Sequence, residues 1–247
     1  MCSNYLPVTR QDRLLTYFGV DYEHGREAAD AFPLGDAPFI RLAPDAGEDG
    51  RPALVAEDGM FGLMPPWAAE LQFGRRTYNA RSETVAQLPS FRDAWRRSQR
   101  CIVPVEAVYE PSYESGSAVR WRIAQDGGVP LGIAGLYTQW RTPEGQRKFS
   151  FTMITVNCDA HPFYQRFHKP GEEKRMPVFL DRADYGPWLT CPLAEAPRFF
   201  KAWGGVFVGE AAPLQRATRV LRGAPAGPVP SASPAPPPEP PQQGDLF

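Results

Sequence analysis

Three long runs of apolar and β-branched residues limit what this chain can become: RCIVPVEAVYEP (Arg100–Pro111), LGIAGLYTQW (Leu131–Trp140) and KFSFTMITVN (Lys148–Asn157). Such runs favour extended strands. None keeps the strict apolar–polar alternation of a sheet with one wet face, so each is expected to be covered on both sides, as in a closed or heavily covered sheet. WRIA (Trp121–Ala124) reads as a further strand, and Pro104 is expected to interrupt the first run. The helical signals are short. Thr9 can cap a helix through about Phe18, with Leu14, Leu15 and Phe18 on one face. Pro89–Gln99 sets Phe91, Ala94, Trp95 and Ser98 at helical spacing, and Asp181 can cap a short helix through Leu189. Strands and helices do not alternate as βαβ units, and no internal repeat is found. The expected class is α+β: a mostly antiparallel, barrel-like β core with flanking helices.

The core is expected to end near Arg222, giving a catalytic domain over residues 1–222. From Gly223 to Phe247 there are nine prolines and no Lys or Arg. A segment of that composition cannot bury enough apolar surface to offset its ordering entropy, so a disordered, extended tail is expected over 223–247. The rest can build a core, since 43% of the chain is apolar.

A net charge of −1 does not announce a nucleic-acid binder, but the average hides an asymmetry. Residues 21–60 carry ten acidic and three basic side chains, whereas residues 74–101 carry seven arginines against Glu83 and Asp93. That second stretch is a candidate anion-binding face, or else a solvated helix surface. The four cysteines (Cys2, Cys101, Cys158 and Cys191) form no C-x-x-C pair, so neither a zinc site nor a disulfide framework is expected. Cys101, Cys158 and Cys191 read as small buried hydrophobes. No apolar run approaches the roughly 20 residues that span a bilayer. No signal sequence is read at the start, so a cytoplasmic protein with reduced thiols is expected.

Cys2 is the exceptional cysteine. Met1 is normally removed when residue 2 is small, which would leave an α-amine and a thiol on one residue. The amine titrates at about 7.7–8.0, so a useful fraction is neutral near pH 7. Such a 1,2-aminothiol condenses with an aldehyde to an imine, which the thiol then traps as a five-membered thiazolidine. An internal cysteine cannot do this. The plain alternative is a disordered terminal residue. Other candidates are scattered. Asn79 and Arg81 stand in YNARSET, where Arg81 offers a planar fork suited to phosphate, on a loop entering a helix. Glu110 follows Tyr109 at the end of a strand. His168 precedes Arg175-Met176-Pro177, where another strand begins.

Met1-Cys2, NARSET at Asn79–Thr84, RCIVPVEAVYE at Arg100–Glu110, and His168 ahead of Arg175-Met176-Pro177 together resemble the SOS response-associated peptidase (SRAP) family. FGLMPPWA around Pro65 and Trp67, and GIAGLY around Gly135, look like it too. The resemblance runs over roughly residues 1–210. It implies a protein that crosslinks covalently to abasic sites in single-stranded DNA and so protects the lesion during replication and the SOS response. By the same resemblance Cys2 would be the nucleophile, and Asn79 would orient its amine and the opened sugar. Glu110 would assist proton transfer, and His168 would act as acid–base catalyst for ring opening. Arg81 would bind phosphate, with Arg75, Arg76 and Arg175 as further DNA contacts and Pro65 and Trp67 shaping the groove. No metal or organic cofactor is implied, and a monomer near the nucleoid is expected.

The sequence also departs from the family pattern. Ser3-Asn4 stands where arginine is common at position 4. Pro111 replaces a usual Trp, and Ala107-Val108 replace Gly-Phe. Four extra residues separate His168 from Arg175, which leaves His161 as an alternative acid–base residue. Two other functional classes remain open: an N-terminal-nucleophile peptidase or amidohydrolase, and a non-covalent single-stranded-DNA-binding module. The final residues, Gln243-Gly244-Asp245-Leu246-Phe247, resemble the short peptide that binds the bacterial sliding clamp, with Gln243, Asp245, Leu246 and Phe247 as the contacts and Gly244 where Leu is common. Tethering of this kind raises local concentration.

Overall fold

The computed structural model describes residues 2–23, 25, 27–46, 52–142 and 144–214. The expected boundary at 222, the proline-rich segment and the four clamp-contact residues Gln243, Asp245, Leu246 and Phe247 lie outside them. In chain order the strands are β1 (Asn4–Pro7), β2 (Asp36–Ala46), β3 (Pro52–Phe61), β4 (Asn79–Arg81), β5 (Arg100–Ser112) and β6 (Val119–Gln125). They continue with β7 (Leu131–Arg141), β8 (Arg147–Asn157), β9 (Arg175–Pro177), β10 (Phe179–Leu180) and β11 (Phe207–Ala211). The helices are α1 (Gln11–Phe18), α2 (Arg92–Arg96) and α3 (Tyr185–Thr190).

The α+β, barrel-like expectation holds. Five strands close on one another in the ring β5–β7–β8–β3–β2–β5, a small barrel in which only the β3–β8 contact is parallel. The three apolar runs became β5, β7 and β8. Burial on both faces is nearly complete along β5, but β7 alternates from Tyr137 onward, where Gln139 and Arg141 are exposed. Inside the ring, Phe151 meets Phe61 and Phe39, each at a centroid separation of 5.6 Å, and all three side chains are fully buried. Burial of each contributes on the order of 1.5–3 kcal/mol. Pro104 does not interrupt β5. Its register partner is Gly132, and its carbonyl accepts the Val8 N–H at 3.1 Å.

The helical expectations need correction. The helix α1 starts after Arg10, without a side-chain cap, while Thr9 is buried. Leu14 and Phe18 face the core, but Leu15 is 57% exposed. Gly19 ends the helix at φ 71°, a left-handed conformation that glycine adopts without a Cβ penalty. The segment expected to be helical over Pro89–Gln99 forms only α2. Phe91, Ala94 and Trp95 are buried as expected, but Ser98 is exposed at φ 51° and closes the helix. Asp181 stands at the N-cap of the short turn Arg182–Asp184 that leads into α3, but its side chain does not cap: its Oδ1 accepts the Trp203 indole N–H at 2.8 Å.

Strand length decides where a site can form. β5 and β8 are longer than the barrel needs, and both lie antiparallel to β7, so their C-terminal halves project from the same end. Beyond the ring, β5 takes β1 and β6 as neighbours, and β8 takes β4 and β9. The pairing Asn4↔Tyr109 carries the N-terminus to the projecting end of β5.

Candidate active site

Cys2 is not a loose terminal residue: it is 1% exposed and belongs to the main core. Its carbonyl accepts Nδ2 of Asn79 at 2.7 Å, and its thiol donates to the Asn4 carbonyl at 3.5 Å. Asn79 reaches it because β4 runs parallel to β8, with Asn79 beside Met153 and Arg81 beside Thr155. Burial, followed by the nearby Glu110 carboxylate, pushes the Cys2 thiol well above its usual range. The Oδ1 atom of Asn79 is buried with no hydrogen-bond partner among the described residues.

Glu110 lies within β5 rather than at its end, opposite Trp121, and is 1% exposed. Its Oε2 stands 2.9 Å from Nε2 of His168, which is also buried. The backbone holds His168 in place. Its N–H donates to the carbonyl of Pro111 at 2.8 Å, and Phe167 bridges Ser112. The φ of 64° at His168 is a left-handed conformation costing about 1–3 kcal/mol, which the flanking contacts must offset. Nδ1 of His168 is buried without a partner among the described residues.

His161 does a different job. Its Nδ1 accepts the backbone N–H groups of Phe163 and Tyr164, each at 3.1 Å, so its Nε2 donates to the Trp203 carbonyl at 2.9 Å. Both nitrogens are committed to the backbone. The geometry therefore brings His168, and not His161, to Glu110.

The arginines expected together are spread apart. Arg100 is buried and donates to the Leu189 and Cys191 carbonyls, so it presents nothing to a ligand. Arg75 and Arg76 are exposed on the short helical turn Leu71–Arg76, with Arg75 donating to Gln72 at 2.7 Å. Arg76, Trp67 and Phe73 line a depression of about 290 Å³. Trp67 is 56% exposed and stands edge-on to Phe73 at 5.1 Å. Pro65 is buried, and its carbonyl accepts the Ala68 N–H at 2.9 Å.

A second depression, of about 550 Å³, opens at Ser3, the neighbour of Cys2 in the chain. Its lining includes Ser3, Tyr78, Arg81, His168 and Arg175. Arg81 is half exposed there. The Arg175 guanidinium is only 2% exposed and commits all its nitrogens: Nε to the Thr155 hydroxyl, the others to Glu83, Glu173 and the Thr155 carbonyl. Its bonds make it an organiser of carboxylates, not a free phosphate donor. After Arg81 the chain makes turns rather than entering a helix, and Glu83 is held by Arg175. Asn4 is buried. Turned with its amide oxygen toward Arg120, it accepts two bonds at 2.7 and 3.2 Å, so residue 4 supplies no exposed cation.

Several residues of the site were not singled out in the sequence. Tyr164 is fully buried, and burial, then Glu110, Cys2 and Cys158, hold its phenol well above its usual range. The Cys158 thiol is pushed up to about 12 by burial and then by Glu110. Tyr78 is raised by burial and then by Cys2 and Glu110. One electrostatic neighbourhood therefore holds Cys2, Glu110, Tyr78, Cys158 and Tyr164. Cys158 and Tyr164 carried no local signal, because a buried Cys or Tyr in an apolar setting looks like core. Among the described residues no group of three or more His, Cys, Asp or Glu gathers to hold a metal ion. No helix there is long and apolar enough to cross a membrane.

Comparisons with known proteins address the family. Residues 1–202 match the family described as SOS response associated peptidase (SRAP). The abasic site processing protein YoqW of Bacillus subtilis is 35% identical over 192 residues, covering 77% of this chain and 80% of that protein. The abasic site processing protein HMCES of Rattus norvegicus is 26% identical, over 52% of this chain and 43% of its own. A crystal structure of a Bordetella bronchiseptica protein superposes with a TM-score of 0.76 at 36% identity, covering 86% of this chain and all of that one. The match over residues 1–202, with relatives 35% identical over most of both chains, shows that the chain belongs to the SOS response associated peptidase (SRAP) family.

Proposed function

We propose that this protein processes abasic sites in single-stranded DNA by joining Cys2 covalently to the opened sugar. The observation that carries the reading is Cys2 itself: a residue-2 cysteine that is buried, bonded through its carbonyl to Asn79 and set beside the Glu110–His168 pair. The relatives' names, abasic site processing proteins, support the substrate class.

An abasic deoxyribose equilibrates between a closed hemiacetal and an open aldehyde. His168 promotes opening by moving a proton between ring oxygen and hydroxyl. Once Met1 is removed, the neutral α-amine of Cys2 adds to C1′. Glu110 returns protons as water leaves, and an imine forms. The thiol then adds across the imine: a C–S bond forms and the thiol proton ends on nitrogen. One water is lost overall, with no redox change. Because burial and Glu110 keep the thiol protonated, ring closure needs an adjacent proton acceptor, a task that suits the Glu110–His168 pair. Asn79 Oδ1, buried and unpartnered among the described residues, suits an acceptor for the amine. Arg81, half exposed in the depression at Ser3, suits a backbone phosphate, and Trp67 suits stacking of a neighbouring base.

The experiment is intact-mass analysis after mixing with an abasic single-stranded oligonucleotide. The expected species is the chain without Met1 plus the oligonucleotide less one water, stable to denaturation, and absent from Cys2→Ala. An undiminished adduct in Cys2→Ala overturns the reading. The sliding-clamp contact at Gln243–Phe247 is a separate proposal: loss of clamp pull-down on removing those five residues supports it, and equal retention ends it.

A further inference from the structure

The segment that separates His168 from Arg175 brings two carboxylates to the depression at Ser3. Glu172 and Glu173 both line it, but they are not equivalent. Glu172 forms no ion pair among the described residues. Glu173 is gripped through both oxygens: Oε2 accepts from Arg81 at 2.9 Å, while Oε1 accepts from Arg175 at 2.5 Å and from Asn157 at 3.3 Å. The segment is itself anchored. The Lys174 ammonium donates back to the His168 and Lys169 carbonyls, and the Lys174 N–H donates to Asp159 at 2.7 Å.

The carboxylate oxygen on Arg81 makes the contact that a DNA phosphate would make with the same guanidinium. The two halves of the bridge differ in strength. Arg175 is 2% exposed and holds its end firmly, whereas the Arg81–Glu173 contact has side chains 51% and 37% exposed. Solvent-screened pairs of that kind contribute little and open readily.

We propose that Glu173 is a built-in stand-in for a DNA phosphate, seated on Arg81 in the free protein and displaced when a strand enters. The proposal rests on the reading of Arg81 as a phosphate contact. Its consequence is selectivity. Undamaged strands, held by phosphate contacts alone, pay for displacing Glu173 and leave. Strands with an abasic sugar are retained by the covalent bond to Cys2.

The test measures equilibrium binding of an undamaged single-stranded oligonucleotide across a salt series. Wild type, Glu173→Gln, Glu173→Asp, Glu172→Gln, Arg81→Ala and the double variant Arg81→Ala/Glu173→Gln are compared, with thermal unfolding as a check on folding. Glu173→Gln is expected to bind about two- to five-fold tighter. The slope of log affinity against log salt should steepen by about 0.7, because Arg81 no longer enters binding already neutralised. Glu173→Asp, which shortens the reach to Arg81 without changing net charge, should show a smaller gain. The gain should vanish in the Arg81→Ala background. Equal or weaker binding by Glu173→Gln, an equal gain in Glu172→Gln, a gain surviving without Arg81, or no binding by any variant at low salt overturns the proposal. Adduct formation on abasic DNA by the wild type and by Cys2→Ala, measured in parallel, reports on the Cys2 chemistry, so failure of that reading is separately visible.

Discussion

Nε2 of His168 stands 2.9 Å from Oε2 of Glu110, although the two residues are 58 positions apart. The contact is built by backbone, not by chance approach of side chains. The Pro111 carbonyl takes the His168 N–H, and Ser112 bridges Phe167, so the last turn before His168 is tied to the end of the strand that carries Glu110. The Lys174 ammonium ties the residues that follow back to the same joint through the His168 carbonyl, at 3.0 Å. The pair sits in the same electrostatic neighbourhood as the Cys2 thiol.

Replacing either member of the pair should slow covalent capture without removing the nucleophile. Glu110→Gln and His168→Gln are each expected to lower the rate of adduct formation on abasic DNA by about 100-fold or more. Because the two act as a unit, the double variant should be scarcely slower than the worse single variant. Rate losses that simply multiply would mean that the residues work independently. Single-turnover gel assays measure this.

Stability should fall in alkali through buried thiols. The Cys158 thiol is pushed up to about 12 in the folded protein, against an ordinary value of 9.0. Below about pH 9 both states keep the proton, and its contribution is fully present. Between about pH 9 and 12 the unfolded chain releases the proton while the folded chain retains it, so folding stability declines with rising pH. Cys158→Ala should flatten this decline, as read from urea midpoints across that range. An unchanged pH profile in the variant would contradict the assignment.

Arg175 is expected to hold the floor of the depression together. Arg175→Lys cannot reproduce the fork that spans Glu83, Glu173 and Thr155, and should cost roughly 2 kcal/mol in denaturant unfolding. Its loss should also release Glu83 and Glu173. If Arg175→Lys unfolds like the wild type, the network is not organising the site.

Gly135 allows the close contact of β7 with its neighbours in the barrel. A Cβ there would meet the Thr152 carbonyl oxygen at 2.5 Å and the Cys101 sulfur at 2.9 Å. The carbonyl belongs to the ladder and cannot turn away. Gly135→Ala should destabilise the protein by about 3 kcal/mol, whereas Gly116→Ala, at a turn with open space, should cost less and only through its positive φ. Thermal unfolding of the two variants compares them.

The barrel was legible because its evidence is local. Runs such as RCIVPVEAVYEP and KFSFTMITVN can satisfy their apolar side chains only as covered strands, and they became β5 and β8. One helix was read too long: over Pro89–Gln99 periodicity marked Phe91, Ala94 and Trp95 as inward correctly, but it could not register that Ser98 would turn left-handed. One arginine of the seven-arginine stretch was hidden in the same way. Charge is visible in a sequence, but burial is not, and Arg100 went to the interior to satisfy the Leu189 and Cys191 carbonyls.

The sequence by itself determined the covered β core and the residue types of the site: a cysteine next to the initiator, an Asn and an Arg in NARSET, a Glu in a long strand and a His before RMP. Those features depend on local composition and order. Only the tertiary structure decided which of them meet. β5 and β8 overrun the barrel at one end, β1 lays Cys2 along β5, and β4 lays Asn79 along β8. It also separated His168 from His161, turned Arg175 inward and set Glu173 on Arg81. Partners of that kind are fixed by strand register and by the need to satisfy buried polar groups, and neither is written in any short stretch of the chain.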